Sequence, residues 1–173
     1  MSRDVRAVKS RTWAVAAATC IFVFDQLTKW IVSGPLRLQE TGQIYVLPIF
    51  NLTWTENRGI SLGLLTAEGE IGRWLLVAMT AAIAGGIAWW ITQEHKRWDQ
   101  LALGLVLGGA LGNIVDRVRL GYVVDFLDLH FGEWRPFLIF NVADAAISIG
   151  VVILLLRAVF VRPAAPEENI DHA

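Results

Sequence analysis

The sequence predicts an all-α membrane protein with four transmembrane helices, a small extracytoplasmic β region and a short interfacial helix. Three observations predict it. The 173 residues are 55% hydrophobic and 18% charged, with mean hydropathy +0.50, whereas a soluble domain has about 45–50% apolar and about 25% charged residues. The apolar excess is gathered into four runs, each close to the roughly 20 residues that cross a bilayer. Between the first two runs lies a stretch of alternating, β-branched and aromatic residues that reads as strands.

Thr12 to Val32 is the first run, preceded by Arg3, Arg6, Lys9 and Arg11. A basic start before an apolar run also describes a cleaved signal peptide, and Ala17-Ala18-Thr19-Cys20 hints at a lipoprotein cleavage site. The run before Cys20 is too short for that, Thr19 is a poor residue there, and the run continues past it, so a retained span is expected. One cysteine excludes an intrachain disulfide and a cysteine-only zinc site. Cys20 is expected to be a small buried hydrophobe. Asp25 and Lys29 have the i, i+4 spacing of a helical ion pair, acid first. That pair either fixes the helix or lines a polar site.

Ser33-Gly34-Pro35 breaks the helix. Gln43 to Pro48 and Phe50 to Thr55 read as two strands turning near Pro48, and a short interfacial helix is expected around Asn57 to Gly63. The second run, Ile71 to Ile91, carries Gly85-Gly86, read as a close helix contact. Leu101 to about Val118 is the third, with Gly104, Gly108, Gly109 and Gly112. Phe137 to Val161 is the fourth. Residues 1–161 are expected to form one membrane domain, with a disordered tail at 162–173. Eight Lys and Arg would lie near the face with the termini and four near the other, a bias that puts both termini in the cytoplasm. The net charge of -1 suggests no nucleic-acid partner.

Polar residues close the third run and open the fourth. Asn113 and Arg117 share a helix face, with Asp116 beside them, and Asp125 lies just beyond; Asn141 and Asp144 share another face. Such groups are costly in hydrocarbon and usually mark function. Asp125 and Asp144 flank the loop joining two antiparallel helices, which can bring them close. Two adjacent carboxylates share a proton, so one can take a proton from water while the other polarises a peptide carbonyl. Ion pairing or helix capping is the competing reading of the same spacing. A metal site from Asp125, Asp128, His130 and Glu133 needs a sharply folded loop and matches no zinc spacing. The three histidines have no context that would activate a serine. A proton pathway or a structural subunit remains a rival use of the buried charges; no internal repeat favours a transporter.

The sequence resembles signal peptidase II, the bacterial lipoprotein signal peptidase family of inner-membrane aspartyl proteases. The resemblance spans about Asp25 to Gly150. It rests on Asp25-Gln-Leu-Thr-Lys29, Asn57-Arg-Gly59 leading to Gly63, Gly108 to Arg117, Gly121-Tyr-Val-Val-Asp-Phe126 and Phe140-Asn-Val-Ala-Asp144. It implies that Asp125 and Asp144 are the catalytic pair, with Asp25, Lys29, Asn57, Asn113, Arg117 and Asn141 around it; Asp116, beside Arg117 near the same helix end, is expected to play a supporting role. No cofactor and no metal is expected. The implied fold is four membrane helices with 36–68 as an extracytoplasmic β-cradle and lid, and the active site at the outer face of the inner membrane. The implied reaction removes the signal peptide from prolipoproteins, on the amino side of a diacylglyceryl cysteine. Membrane lipids and globomycin-type inhibitors are the other implied partners. Leu62, Ala145 and Leu138-Ile139 depart from the family pattern, which bears on lid shape and inhibitor fit.

Overall fold

The structure, a computed structural model, describes residues 2–60, 65–66 and 69–160, with residues 2–10, 60, 65 and 66 described by backbone alone. The chain runs α1 (Ser2–Ser33), α2 (Leu38–Thr41), β1 (Gln43–Leu47), β2 (Phe50–Asn57), β3 (Gly59–Ile60), β4 (Leu65–Thr66), α3 (Glu70–Gln93), α4 (Arg97–Leu120), β5 (Val123–Leu129) and α5 (Val142–Phe160). Four segments are long and apolar enough to cross a membrane: Arg11–Ser33, Glu70–Gln93, Arg97–Leu120 and Val142–Phe160. The expected tail at 162–173 lies outside the described residues.

Helix α4 is the centre of the bundle and the most buried of the four spans. Its glycines admit both neighbours. A Cβ at Gly108 would stand 2.5 Å from the Ala18 carbonyl oxygen on α1, and one at Gly109 would stand 2.5 Å from that of Ala143 on α5. Side chains there would force the helices apart. Helix α3 packs on α4 from the remaining side. Gly85 and Gly86 take no part in this: a Cβ on either would meet no described atom within 4 Å. Their expected close contact is corrected to an open face of α3. Cys20 is corrected too, since it is exposed on α1; a small thiol facing hydrocarbon needs no protein cover.

One end of the bundle is closed by Arg157 on Asp99, at 2.5 and 3.0 Å, and by Arg11 donating to the Thr92 carbonyl at 3.3 Å. The other end carries the sheet, an antiparallel β1-β2-β5 array. Ile44 faces Leu52, Leu52 faces Leu127, and Thr55 faces Asp125, with an irregularity between Leu52 and Thr55. Val32, Leu38, Val124 and Phe126 form a small core beneath it. The two expected strands are β1 and β2. The short helix of this region lies at Leu38–Thr41; the described part of the Asn57–Gly63 segment has no helix, with Asn57 ending β2 and Gly59 paired to Thr66 in β3.

Helix α5 begins at Val142 and not at Phe137, because Phe140 is drawn into the sheet. Its carbonyl accepts from the amides of Phe126 and Leu127 at 3.0 and 2.8 Å, and its amide donates to Leu127 O at 3.2 Å. Asn141 then caps the helix. Its Oδ1 accepts the Asp144 amide at 2.9 Å, and Asp144 Oδ2 accepts the Asn141 amide at 3.2 Å. This is a reciprocal capping box built from Asn and Asp.

Candidate active site

The polar residues singled out in the sequence converge where α1, α4, β5 and α5 meet. Lys29 lies at the centre of their buried wall. Its Nζ is 2.9 Å from Asp25 Oδ2 and 2.8 Å from Asp116 Oδ2, and it donates to Asn113 Oδ1 at 3.0 Å. All four side chains are buried. Each carboxylate uses its other contacts to hold a site-bearing element. Asp25 Oδ1 accepts the Ala143 amide at the start of α5, at 3.0 Å. Asp116 Oδ2 accepts the Val124 amide of β5 at 3.2 Å. One cation thus ties α1 and α4 to both elements that carry the paired aspartates.

The ammonium also fixes an amide. Lys29 is donor-only, so Asn113 must present its oxygen there and its NH2 elsewhere. That Nδ2 donates to Asp144 Oδ1 at 2.8 Å. Asn141 links the two carboxylates: Nδ2 donates to Asp125 Oδ1 at 2.6 Å while its backbone amide donates to Asp144 Oδ2. Asn57, from the end of β2, donates to Asp125 Oδ2 at 3.0 Å and accepts the Gly59 amide at 3.2 Å. Arg117 donates to the Gly59 carbonyl at 3.3 Å, and its Nε is buried without a hydrogen-bond partner among the described residues. The segment expected to act as a lid therefore starts on two site residues; residues 61–64 lie outside the described ones.

Asp125 is 2% exposed. Burial pushes its carboxyl up, and the charge of Asp144 pushes it further; the Asn57 and Asn141 hydrogen bonds and Lys29 pull back, leaving it raised to about 7. An adjacent second carboxylate and low exposure are the two conditions that keep a proton on such a group near neutral pH.

Asp125, Asp128, His130 and Glu133 share no centre. Asp128 is taken by Arg135, at 2.9 Å to Nε, and by the Thr53 hydroxyl at 3.0 Å. Burial alone would raise Asp128, but these hydrogen bonds and the guanidinium charge hold it below the usual carboxylate range. Two supporting residues escaped the sequence reading. Gln26 donates to Asp116 Oδ1 at 3.0 Å and to the Gly112 carbonyl at 3.3 Å. Arg73 donates to the carbonyls of Arg117 and Val118 at 2.8 and 2.6 Å. Gln26 follows Asp25 directly and was legible only as part of a motif. Arg73 opens an apolar run and reads as an interfacial charge.

The sequence profile of the family described as signal peptidase (SPase) II matches residues 17–160. The chain belongs to the signal peptidase II family. It is 56% identical to a lipoprotein signal peptidase of Rhizorhabdus wittichii over 169 residues, covering 97% of this chain and 98% of that one. It is also 56% identical to that of Sphingopyxis alaskensis over 152 residues, 88% of each chain. Among solved structures it resembles a bacterial membrane enzyme determined in meso at 1.9 Å, with TM-score 0.73 and 29% identity over 86% of this chain and 94% of that one. A second, determined at 2.3 Å, gives TM-score 0.72 and 29% identity over 84% and 87%. The protein is a multi-pass membrane protease of this family.

Proposed function

We propose that Asp125 and Asp144 are the catalytic dyad with which this signal peptidase II cleaves prolipoproteins on the amino side of a diacylglyceryl cysteine. The observation that carries the reading is the Asn141 bridge, one residue donating to both carboxylates. Near neutral pH the pair holds one proton. The ionised carboxylate takes a proton from water as its oxygen attacks the scissile carbonyl carbon. The protonated one gives its proton to the carbonyl oxygen. On collapse the C–N bond breaks, the leaving amine takes a proton from one carboxyl, and a hydroxyl of the gem-diol returns its proton to the other carboxylate, which restores the single proton on the pair. Asn113, Asn141 and Asn57 hold the carboxylate oxygens, and Lys29, Asp25 and Asp116 hold the elements behind them. The free Nε of Arg117 suits a carbonyl of the substrate backbone. Globomycin-type inhibitors are expected to fill the same space.

The dyad lies at the end of the bundle with the sheet, which we assign to the outer face; the termini and the turn at 94–96 between α3 and α4 then face the cytoplasm. Purified protein incubated with a diacylglyceryl prolipoprotein tests the chemistry. Wild type should release the signal peptide, and Asp125→Asn and Asp144→Asn should each lose at least about a thousandfold in rate. Near wild-type cleavage by either folded variant removes the dyad.

A further inference from the structure

Four carbonyls at the end of any helix lack intrahelical partners. At the end of α4 these belong to residues 117–120, beside the site. The helix closes on Gly121, whose φ is 86°, with its amide on the Arg117 carbonyl at 3.2 Å. The further partners come from another helix. Arg73, in the first turn of α3, sends Nε to the Arg117 carbonyl and Nη2 to the Val118 carbonyl. The guanidinium is itself held: Glu70 Oε1 lies 3.1 Å from Nη1, the Trp74 ring lies 5.1 Å away, and Trp74 Nε1 donates to Glu70 Oε2 at 3.2 Å.

The carbonyls chosen are those of the turn from which half the site hangs. Arg117 reaches Gly59, Asp116 receives the Val124 amide, and Asp125 follows Gly121 by four residues. Asp144 is held from outside that turn, by the Asn141 cap, by the Asp25 contact to Ala143 and by Asn113 one turn earlier on α4, and the Asn141 side chain is its link to Asp125. Moving the last turn of α4 would therefore pull Asp125, Asp116 and Arg117 against that link and change their placement relative to Asp144. We infer that Arg73 is a positioning residue for the peptidase reaction, setting the separation of the two aspartates by clamping the end of α4. The inference rests on the dyad assignment above.

Full-length protein and a diacylglyceryl prolipoprotein peptide serve as the assay, with Asp125→Asn measured alongside. Arg73→Ala should lower kcat roughly tenfold or more, since small misplacements of reacting groups are costly, while KM stays within about threefold. The basic limb of its pH profile should move to lower pH, because Asp125 then lies farther from the charge of Asp144. Arg73→Lys, which keeps a donor at similar reach, should recover part of both effects and carries the test if the alanine variant does not fold. A folded Arg73→Ala protein with unchanged kcat and unchanged pH limb, or, where alanine does not fold, a folded Arg73→Lys protein with both unchanged, in an assay where Asp125→Asn is inactive, overturns the positioning role alone. An active Asp125→Asn fells the dyad and Arg73's role with it.

Discussion

At neutral pH Asp125 is near its midpoint, and the rate should show it. The proposed dyad works with one proton on the pair, so activity should fall on the acid side as a second proton binds and on the basic side as the last one leaves. The basic limb should lie near the value of about 7 that burial and Asp144 impose. Stability follows the same titration. Between the ordinary carboxylate value and about 7 the folded chain holds a proton that the unfolded chain has lost, so stability falls as pH rises through that window. Asp125→Asn lacks this loss. Its Tm relative to wild type should be more favourable at pH 8 than at pH 5, and a pH-independent difference would contradict the raised value. Lys29 offers a second test. Removing one member of a buried ion cluster leaves the others uncompensated, typically at about 3–5 kcal/mol. Lys29→Met should therefore be strongly destabilised in denaturant titration, well beyond a surface lysine such as Lys96, which is exposed.

At the scale of elements, the glycines of α4 set how near the site's two halves can come. Gly109→Ala would drive a methyl against the Ala143 carbonyl, one residue before Asp144. Overpacking of this kind costs about 1–3 kcal/mol, so both Tm and turnover should fall, whereas Gly86→Ala, on the open face of α3, should leave turnover unchanged. The four spans, β1 and β2 were legible because apolar runs and alternation survive in a linear sequence, whereas the short helix α2, with one four-residue turn, left no such mark. Strand β5 was not. Val123 to Leu129 places Asp125 and Asp128 among apolar residues that are mostly buried, so neither alternation nor a turn signal marks it. The start of α5 was misread for a related reason: Phe137 to Phe140 is as apolar as a membrane span, and only pairing with β5 keeps Phe140 out of the helix. The polar site residues could be named from the sequence because buried charge is rare in such chains. Their partners could not, since Lys29 reaches Asn113 and Asp116 across 84 and 87 positions. Arg73 was hidden because the partners it reaches on α4 are backbone carbonyls, which leave no mark on composition.

For the whole molecule, the exposed tryptophans give an orientation frame. Trp13 and Trp30 lie near opposite ends of the α1 span, and Trp74 and Trp89-Trp90 near opposite ends of α3; all five are exposed. Amphipathic rings collect at the two membrane interfaces, so these mark two belts with the sheet outside one of them. Reporter fusions should read Lys96 as cytoplasmic and Glu133 as external; an external Lys96 would invert the assignment. The cap at the start of α5 also decides how a silenced form of the protein is best made as bait for catching uncut lipoproteins. Replacing Asp144 would strip its own helix of a cap as well as the site of a carboxylate, so the bait would begin to fray where it must grip. Asp125 lies in a strand whose ladder does not depend on its side chain, so replacing it gives up the Asn57 and Asn141 contacts but leaves the α5 cap in place.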